Sequence, residues 1–131
     1  ACERLGGAES TRLGESRGRG GLVPMGGMSR RLPERLGRST AKELMFTSRR
    51  ITGSKAAEIK LVDHAVADDD LDSFVDSLAS EICANSWDTN RMVKKLIAGG
   101  DERSREESLL WEREQPFGMP GDMKERMNRG R

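Results

Sequence analysis

The chain has 131 residues, of which 34% are hydrophobic and 4% aromatic, with no Tyr, so one domain or part of one with a lean core is expected. Its formal net charge of +1 names no partner, and two cysteines and one histidine in no ligand spacing argue against a metal site or a disulfide framework. No apolar run approaches a membrane span and no stretch reads as a signal peptide, so a reducing, cytoplasmic setting without a membrane partner is expected.

The charge is uneven along the chain. Residues 1–50 hold eleven Lys/Arg against five Asp/Glu, and residues 51–131 hold twelve against seventeen. Two differently charged faces of one fold account for this. A nucleic-acid-binding arm would need aromatics or a known module beside the arginines, and only aliphatic residues accompany them, so nucleic acid is not an expected partner.

Residues 1–30 are rich in Gly and Arg and lack a helical period. Their composition leaves disorder open, while the short apolar spots "LGG", "TRLG" and "GLVP" are candidate strands or strand ends. Further on, Thr40 and Glu43 form a capping-box pattern, with Ala41, Leu44 and Met45 following at helical spacing. "SRRITG" reads as a short extended piece, "SKAAEIK" as a short helix and "LVDHAVA" as a strand, which makes His64 a strand residue.

"DDDLDSFVDSLASEICAN" carries the clearest helix. Leu71, Phe74, Val75, Leu78, Ala79, Ile82 and Cys83 fall on one apolar stripe, and Asp68, Asp69 and Asp70 stand at its start, where the helix dipole favours anions. A second helix is expected from Asp88 to Ala98, with Met92, Val93, Leu96 and Ile97 inward and Gly99 and Gly100 as its stop. Ser104 and Glu107 make a capping box for a third, carrying Leu109, Leu110 and Trp111, and "QPFGMPGD" ends it. Helices of this kind bury their stripes against a neighbour, here another subunit. No internal repeat is present.

The stretch "GLVPMGGMSRRLPERLG", Gly21 to Gly37, raises a choice among a phosphate loop, a flexible linker and the rim of an active site. No Gly-Lys-Ser/Thr follows the glycines, so the phosphate loop fails. Together with "AKELMFTSRRITGSKAAEIKLVDHAV", the stretch resembles the enoyl-CoA hydratase/isomerase (crotonase) superfamily, within the ClpP/crotonase-like group. Gly21, Leu22, Pro24, Gly27, Arg31, Leu32, Pro33 and Gly37 match the family's first block. Ala41, Glu43, Leu44, Thr47, Ile51, Ala56, Ala57, Leu61 and Val62 match the second, and Lys60 stands where the family usually has Gly. "ACERLGGAESTRLGE" matches, more weakly, the strand segment that leads into the turn. The likeness runs from residue 1 to about residue 114.

The resemblance implies an α/β fold, a partial ββα spiral over 1–67. It also implies a C-terminal helical trimerisation region over 68–131 with a weakly ordered tail. It further implies that the chain is the C-terminal half of a family member, a lyase or isomerase acting on acyl-CoA thioesters in fatty acid metabolism. The other half would hold most of the acyl-CoA cleft and the two backbone donors that stabilise an enolate oxygen. Coenzyme A enters as part of the substrate, with no separate cofactor, and the expected assembly is a homo-trimer or hexamer.

Family hydratases use two glutamates, one as base on water and one as acid at the α-carbon. The resemblance places the first before Ala1; Glu3 is an alternative only if several residues were deleted ahead of Gly21. The position of the second holds Arg17, which cannot give up its proton at neutral pH. Arg17 is then either solvated or a ligand for a carboxylate or a CoA phosphate. Glu15, two residues away, is a surface charge or a substitute acid. The Asp that some branches carry on the turn is Met25 here, whose backbone N–H remains as the group that helps hold the reacting water. Leu22, Pro24, Gly26 and Gly27 complete the substrate-binding rim. At the C-terminus, Lys124 and Glu125 keep part of the family's closing motif, with Arg126 for its Gly and Gly130 for its Phe. A non-catalytic assembly or RNA-binding member is the competing reading, supported only by the basic first 50 residues.

Overall fold

The computed structural model describes residues 4–114 and 116–129. The chain divides into two compact units, Ala1–Asp76 and Ser77–Arg131.

In the first unit, β1 (Gly6–Ala8) and β2 (Arg12–Leu13) come from the segment whose composition left disorder open. A 3₁₀ turn (Arg17–Gly20) precedes two helices, α1 (Met28–Leu36) and α2 (Arg38–Thr47). Then follow β3 (Ile51–Thr52), α3 (Gly53–Glu58) and β4 (His64–Val66). β1 pairs in parallel with β4, Gly6 opposite His64, while β2 pairs antiparallel with β3, Arg12 opposite Thr52. Parallel pairing needs a crossover, which the intervening helices supply. The buried apolar residues are Leu32 from α1, Ala41 and Leu44 from α2, Ala56 from α3 and Val62 ahead of β4.

Several expectations are corrected here. "GLVP" is not a strand: residues 22–25 form an irregular loop. α2 begins at Arg38 after Gly37, with no side-chain cap, so Thr40 lies inside the first turn and the Thr40–Glu43 box does not form. The tight α1–α2 junction at Gly37 starts the helix before the hydroxyl can act. "MSRRLPERL" is α1, with Pro33 in its interior, although a proline there removes a helix hydrogen bond. The side-chain N-cap in this unit is Thr52, whose hydroxyl accepts the Lys55 N–H at 3.2 Å and starts α3.

Two networks tie the unit together. Asp68 accepts both the Ser10 N–H and the Ser10 hydroxyl, so the acidic residues ahead of α4 anchor the β1–β2 turn rather than only facing the helix dipole. Arg35 on α1 donates from Nε to the Leu61 carbonyl at 2.7 Å and from Nη2 to Asp63 at 2.9 Å. Asp63 in turn accepts the Leu5 N–H at 2.7 Å. The Leu5 N–H, opposed by burial and helped by Arg35, holds the Asp63 carboxyl below its ordinary value. Lys60 adopts φ 65°, the left-handed conformation that the family's usual glycine accepts at no cost.

Helix α4 (Leu71–Ala84) follows a 3₁₀ turn at Asp68–Asp70. Its stripe is not buried: Leu71, Phe74 and Leu78 are half-covered, Val75 is 50% and Ile82 46% exposed, and Cys83 is exposed. The periodicity marks a true amphipathic helix, whose Val75, Ile82 and Cys83 stay open to solvent. Phe74 meets His64 ring to ring at 4.9 Å.

The second unit is helical: α5 (Trp87–Gly100), α6 (Arg105–Arg113) and α7 (Met123–Arg129). α5 includes both Gly99 and Gly100 and ends on Gly100, two residues past the expected end at Ala98. Gly99 is needed there for another reason, since the Trp111 ring of α6 lies where its Cβ would be. The Ser104–Glu107 capping box forms as expected, the hydroxyl accepting the Glu107 N–H and the Glu107 carboxylate accepting the Ser104 N–H. Ser86 caps α5 by accepting the Thr89 N–H at 3.1 Å and donates to Asp122 at 2.6 Å. Residues 123–129, within the segment expected to be a weakly ordered tail, form α7.

Candidate active-site rim

The rim is built by the turn between β2 and α1. Gly14 sets its start: a Cβ there would lie 2.5 Å from the Arg49 carbonyl oxygen, so only glycine lets the chain pass this close to the segment between α2 and β3. Glu15 follows at once, and its side chain is directed inward. The 3₁₀ turn then closes with the Leu22 N–H donating to the Arg17 carbonyl at 3.1 Å. Gly18 packs against the buried Ser48 at the end of α2; a Cβ at Gly18 would lie 2.7 Å from its Oγ. Gly26 and Gly27 both take positive φ, and Gly27 is the residue from which α1 springs.

The sequence-expected residues sit as follows. Arg17 and Glu15 are brought together as an ion pair, Nη1 to Oε2 at 2.8 Å, and the Arg17 N–H also donates to Glu15 Oε1 at 3.1 Å. Glu15 is 7% exposed, so it is a buried carboxylate and not a surface charge. An extended strand would have set the two side chains two residue rises apart. The 3₁₀ turn that begins at Arg17 folds the guanidinium back instead. Arg17 is 42% exposed and is therefore partnered on one side and open on the other. Glu15 also borders an apolar cavity of about 260 Å³ lined by Leu13, Met28, Leu32, Leu44 and Val62.

Met25 stands out into solvent at 67% exposure, beside Leu22 and Val23. Among the described residues no hydrogen bond engages the Met25 N–H, while its carbonyl accepts from Met28 at 3.4 Å. Pro24 is half-buried, and Gly26 and Gly27 are exposed. These residues line one continuous turn, but none of them lines the cavity that Glu15 borders. Glu3 and Gly130 lie outside the described residues.

The Arg35–Asp63 clamp behind the rim was not legible as such: an Arg in a basic run and an Asp ahead of a strand carry no spacing signal. Among the described residues no group of three or more His, Cys, Asp or Glu is placed to hold a metal ion, and no helix is long and apolar enough to cross a membrane.

Comparison with known proteins agrees with this geometry. The enoyl-CoA hydratase/isomerase family model matches residues 2–128. The human mitochondrial enoyl-CoA hydratase domain-containing protein 2 is 43% identical over 106 residues, 78% of this chain and 36% of its own. A mouse mitochondrial methylglutaconyl-CoA hydratase is 35% identical over 66 residues, 50% of this chain and 21% of its own. Among solved structures, the Bacillus anthracis enoyl-CoA hydratase superposes with a TM-score of 0.81 at 31% identity, over 86% of this chain and 44% of that one. A Thermobifida fusca relative solved in complex with CoA gives 0.79 at 28% identity, again over 86% and 44%. The chain thus spans well under half the length of the curated relatives it matches. Its mixed helix–sheet fold is that of the crotonase superfamily. With the motif blocks in order, the glycine-rich rim in place and the family match over nearly its whole length, the chain belongs to the enoyl-CoA hydratase/isomerase family.

Proposed function

We propose that the protein acts on an acyl-CoA thioester, in the lyase or isomerase chemistry of its family, and that these 131 residues by themselves do not hydrate an enoyl-CoA. The observation that carries this is the Arg17–Glu15 pair. A guanidinium stands where the family places a proton-transferring carboxylate, and the nearest carboxylate is buried and already bonded twice to Arg17. The exposed Leu22–Met25 loop supports a binding role for the rim, with the Met25 N–H as a donor toward bound substrate or water. CoA would enter as part of the substrate, and the chemistry needs no separate cofactor.

The same reading includes a homo-oligomer, trimer or hexamer, because the outer half of the α4 stripe is left open. It also includes a reducing, cytoplasmic setting, in keeping with the free exposed thiol of Cys83.

The test is hydration of crotonyl-CoA, followed by loss of the enoyl absorbance. The chain should show no rate above background, and Arg17→Glu should not create one. Removal of one general acid/base costs about 10²–10⁴-fold in rate and of one oxyanion donor roughly 10²–10³-fold, and any two together put the remaining activity near the assay floor. Turnover abolished by Glu15→Gln would overturn the proposal and make Glu15 the catalytic carboxylate.

A further inference from the structure

We propose that the rim selects acyl-CoA thioesters whose acyl group ends in a second carboxylate, and that Arg17 is the residue that reads it. This inference rests on the acyl-CoA reading above and narrows its substrate class.

Arg17 is neither fully paired nor free. A guanidinium carries five N–H donors in a planar fork. Among the described residues only Nη1 is used, by Glu15 at 2.8 Å, and Nε and Nη2 meet no acceptor. Glu15 is 7% and Arg17 42% exposed, so the pair has an inner, bonded side and an outer, open one. The Glu15 carboxylate also accepts the Arg17 backbone N–H, which fixes the guanidinium at the rim before any ligand arrives. A pre-set fork loses little rotamer freedom on binding.

Charge points the same way. Arg19 lies on the same 3₁₀ turn, is exposed, and its guanidinium meets no acceptor among the described residues. The turn therefore stays net positive although Glu15 compensates one arginine. A methyl-ended acyl chain gives this fork nothing. A carboxylate can take two parallel N–H···O bonds from it, the geometry in which Arg–carboxylate recognition is strongest. Glu15 then has a second role: it competes for the same cation and sets how tightly the acyl carboxylate is held.

The test is calorimetric titration of the chain with succinyl-CoA, butyryl-CoA and free CoA. The two acyl groups have the same chain length and differ in the terminal carboxylate, and free CoA reports any contribution of its phosphates to Arg17. Succinyl-CoA should bind at least tenfold more tightly than butyryl-CoA. Arg17→Gln should erase that difference, and Glu15→Gln should widen it by removing the competing carboxylate. Because Arg17→Gln alone leaves Glu15 buried without its cation, the double variant Glu15→Gln/Arg17→Gln, monitored for fold by circular dichroism, serves as the second measurement and should also show no preference. Equal binding of succinyl-CoA and butyryl-CoA by the unaltered chain, or a preference that survives in the double variant, would overturn the inference and leave the acyl-CoA reading standing. Absence of binding by all three ligands would also overturn the inference, since a fork pre-set within this chain should hold the succinyl carboxylate by itself, and it would leave the acyl-CoA reading, whose cleft lies mostly in the other half, to the hydration test above.

Discussion

Arg35, on α1, holds Asp63, ahead of β4, at 2.9 Å, and so joins the helix that follows the rim to the strand that pairs with β1. Asp63 completes the link by accepting the Leu5 N–H at 2.7 Å. One carboxylate thereby ties together three segments that are far apart in sequence, and it does so from a half-buried position where solvent weakens it only in part.

The clamp makes stability pH-dependent in a fixed direction. The Leu5 N–H first, and Arg35 and Arg4 after it, lower the Asp63 carboxyl below its ordinary value of 3.8, against the opposing effect of burial. A carboxylate with a depressed folded-state value stabilises fully above its unfolded value and loses that contribution as pH falls through the folded one. Asp63→Asn should therefore lower stability at pH 7 by roughly 1 kcal/mol, the usual scale for a partly exposed charged hydrogen bond. The difference from the unaltered chain should shrink below about pH 4. Urea midpoints measured from pH 7 down to pH 3 check this; a gap of constant size would show that the carboxylate charge is not what matters.

Lys60 tests backbone strain at a position where the sequence departs from its family. Its φ of 65° costs an L-residue roughly 1–2 kcal/mol. Glycine removes that strain but adds about 0.4–1 kcal/mol of unfolded-state freedom. The strain is the larger quantity, so Lys60→Gly should stabilise by about 0.5–1 kcal/mol, and Lys60→Val should destabilise because β-branched residues tolerate this region least. The Arg35 Nε bond to the Lys60 carbonyl is a backbone contact and is kept in both variants. Thermal melts of the two variants should move in opposite directions, and a lower melting temperature for Lys60→Gly would contradict the strain argument.

Ser86 is the corresponding test in the helical unit. Its hydroxyl accepts from Thr89 and donates to Asp122, so it both starts α5 and fastens the segment ahead of α7. Ser86→Ala should cost about 1–2 kcal/mol, the upper range for loss of an N-cap. Ser86→Asp keeps the cap but sets a second carboxylate against Asp122, so it should not rescue stability. Full recovery in Ser86→Asp would mean that the cap alone accounts for the effect.

What the sequence made legible was local. The α4 stripe, the Ser104–Glu107 box and the short β3 and β4 strands follow from spacing within a few residues, and each formed. The failures come from contacts between distant residues. Thr40 and Glu43 satisfy the capping pattern, but the chain turns at Gly37 and starts α2 too early for it. Gly99 and Gly100 look like a stop after Ala98, yet both lie in the last turn of α5, where the space beside Gly99 is taken by Trp111. Glu15 and Arg17 were both singled out, while their pairing was not, because the 3₁₀ turn that brings them together leaves no periodic trace.

The α4 stripe also sets the last expectation. Leu71, Phe74 and Leu78 are half-covered, while Val75 and Ile82 are 50% and 46% exposed on the same helix. Exposed apolar residues in a row on one face mark a surface that another molecule covers, and a second copy of this chain is the partner present at any concentration. The chain should therefore self-associate, its weight-average mass rising across the micromolar range in sedimentation runs. Ile82→Glu places a charge on the open half of the stripe. The Ile82 carbonyl accepts from Asn85 and Asn90, backbone contacts that a change of side chain keeps. Burying that charge at an interface without a partner is unfavourable, and a penalty of about 1.4 kcal/mol already weakens association tenfold. Ile82→Glu should shift the association curve to at least tenfold higher concentration with an unchanged circular dichroism spectrum. Phe74→Asp should instead disturb the fold itself, because Phe74 packs against His64 within the first unit. A compact monomer across the whole range for the unaltered chain would sink the expectation, since the open stripe would then be tolerated in water as it stands.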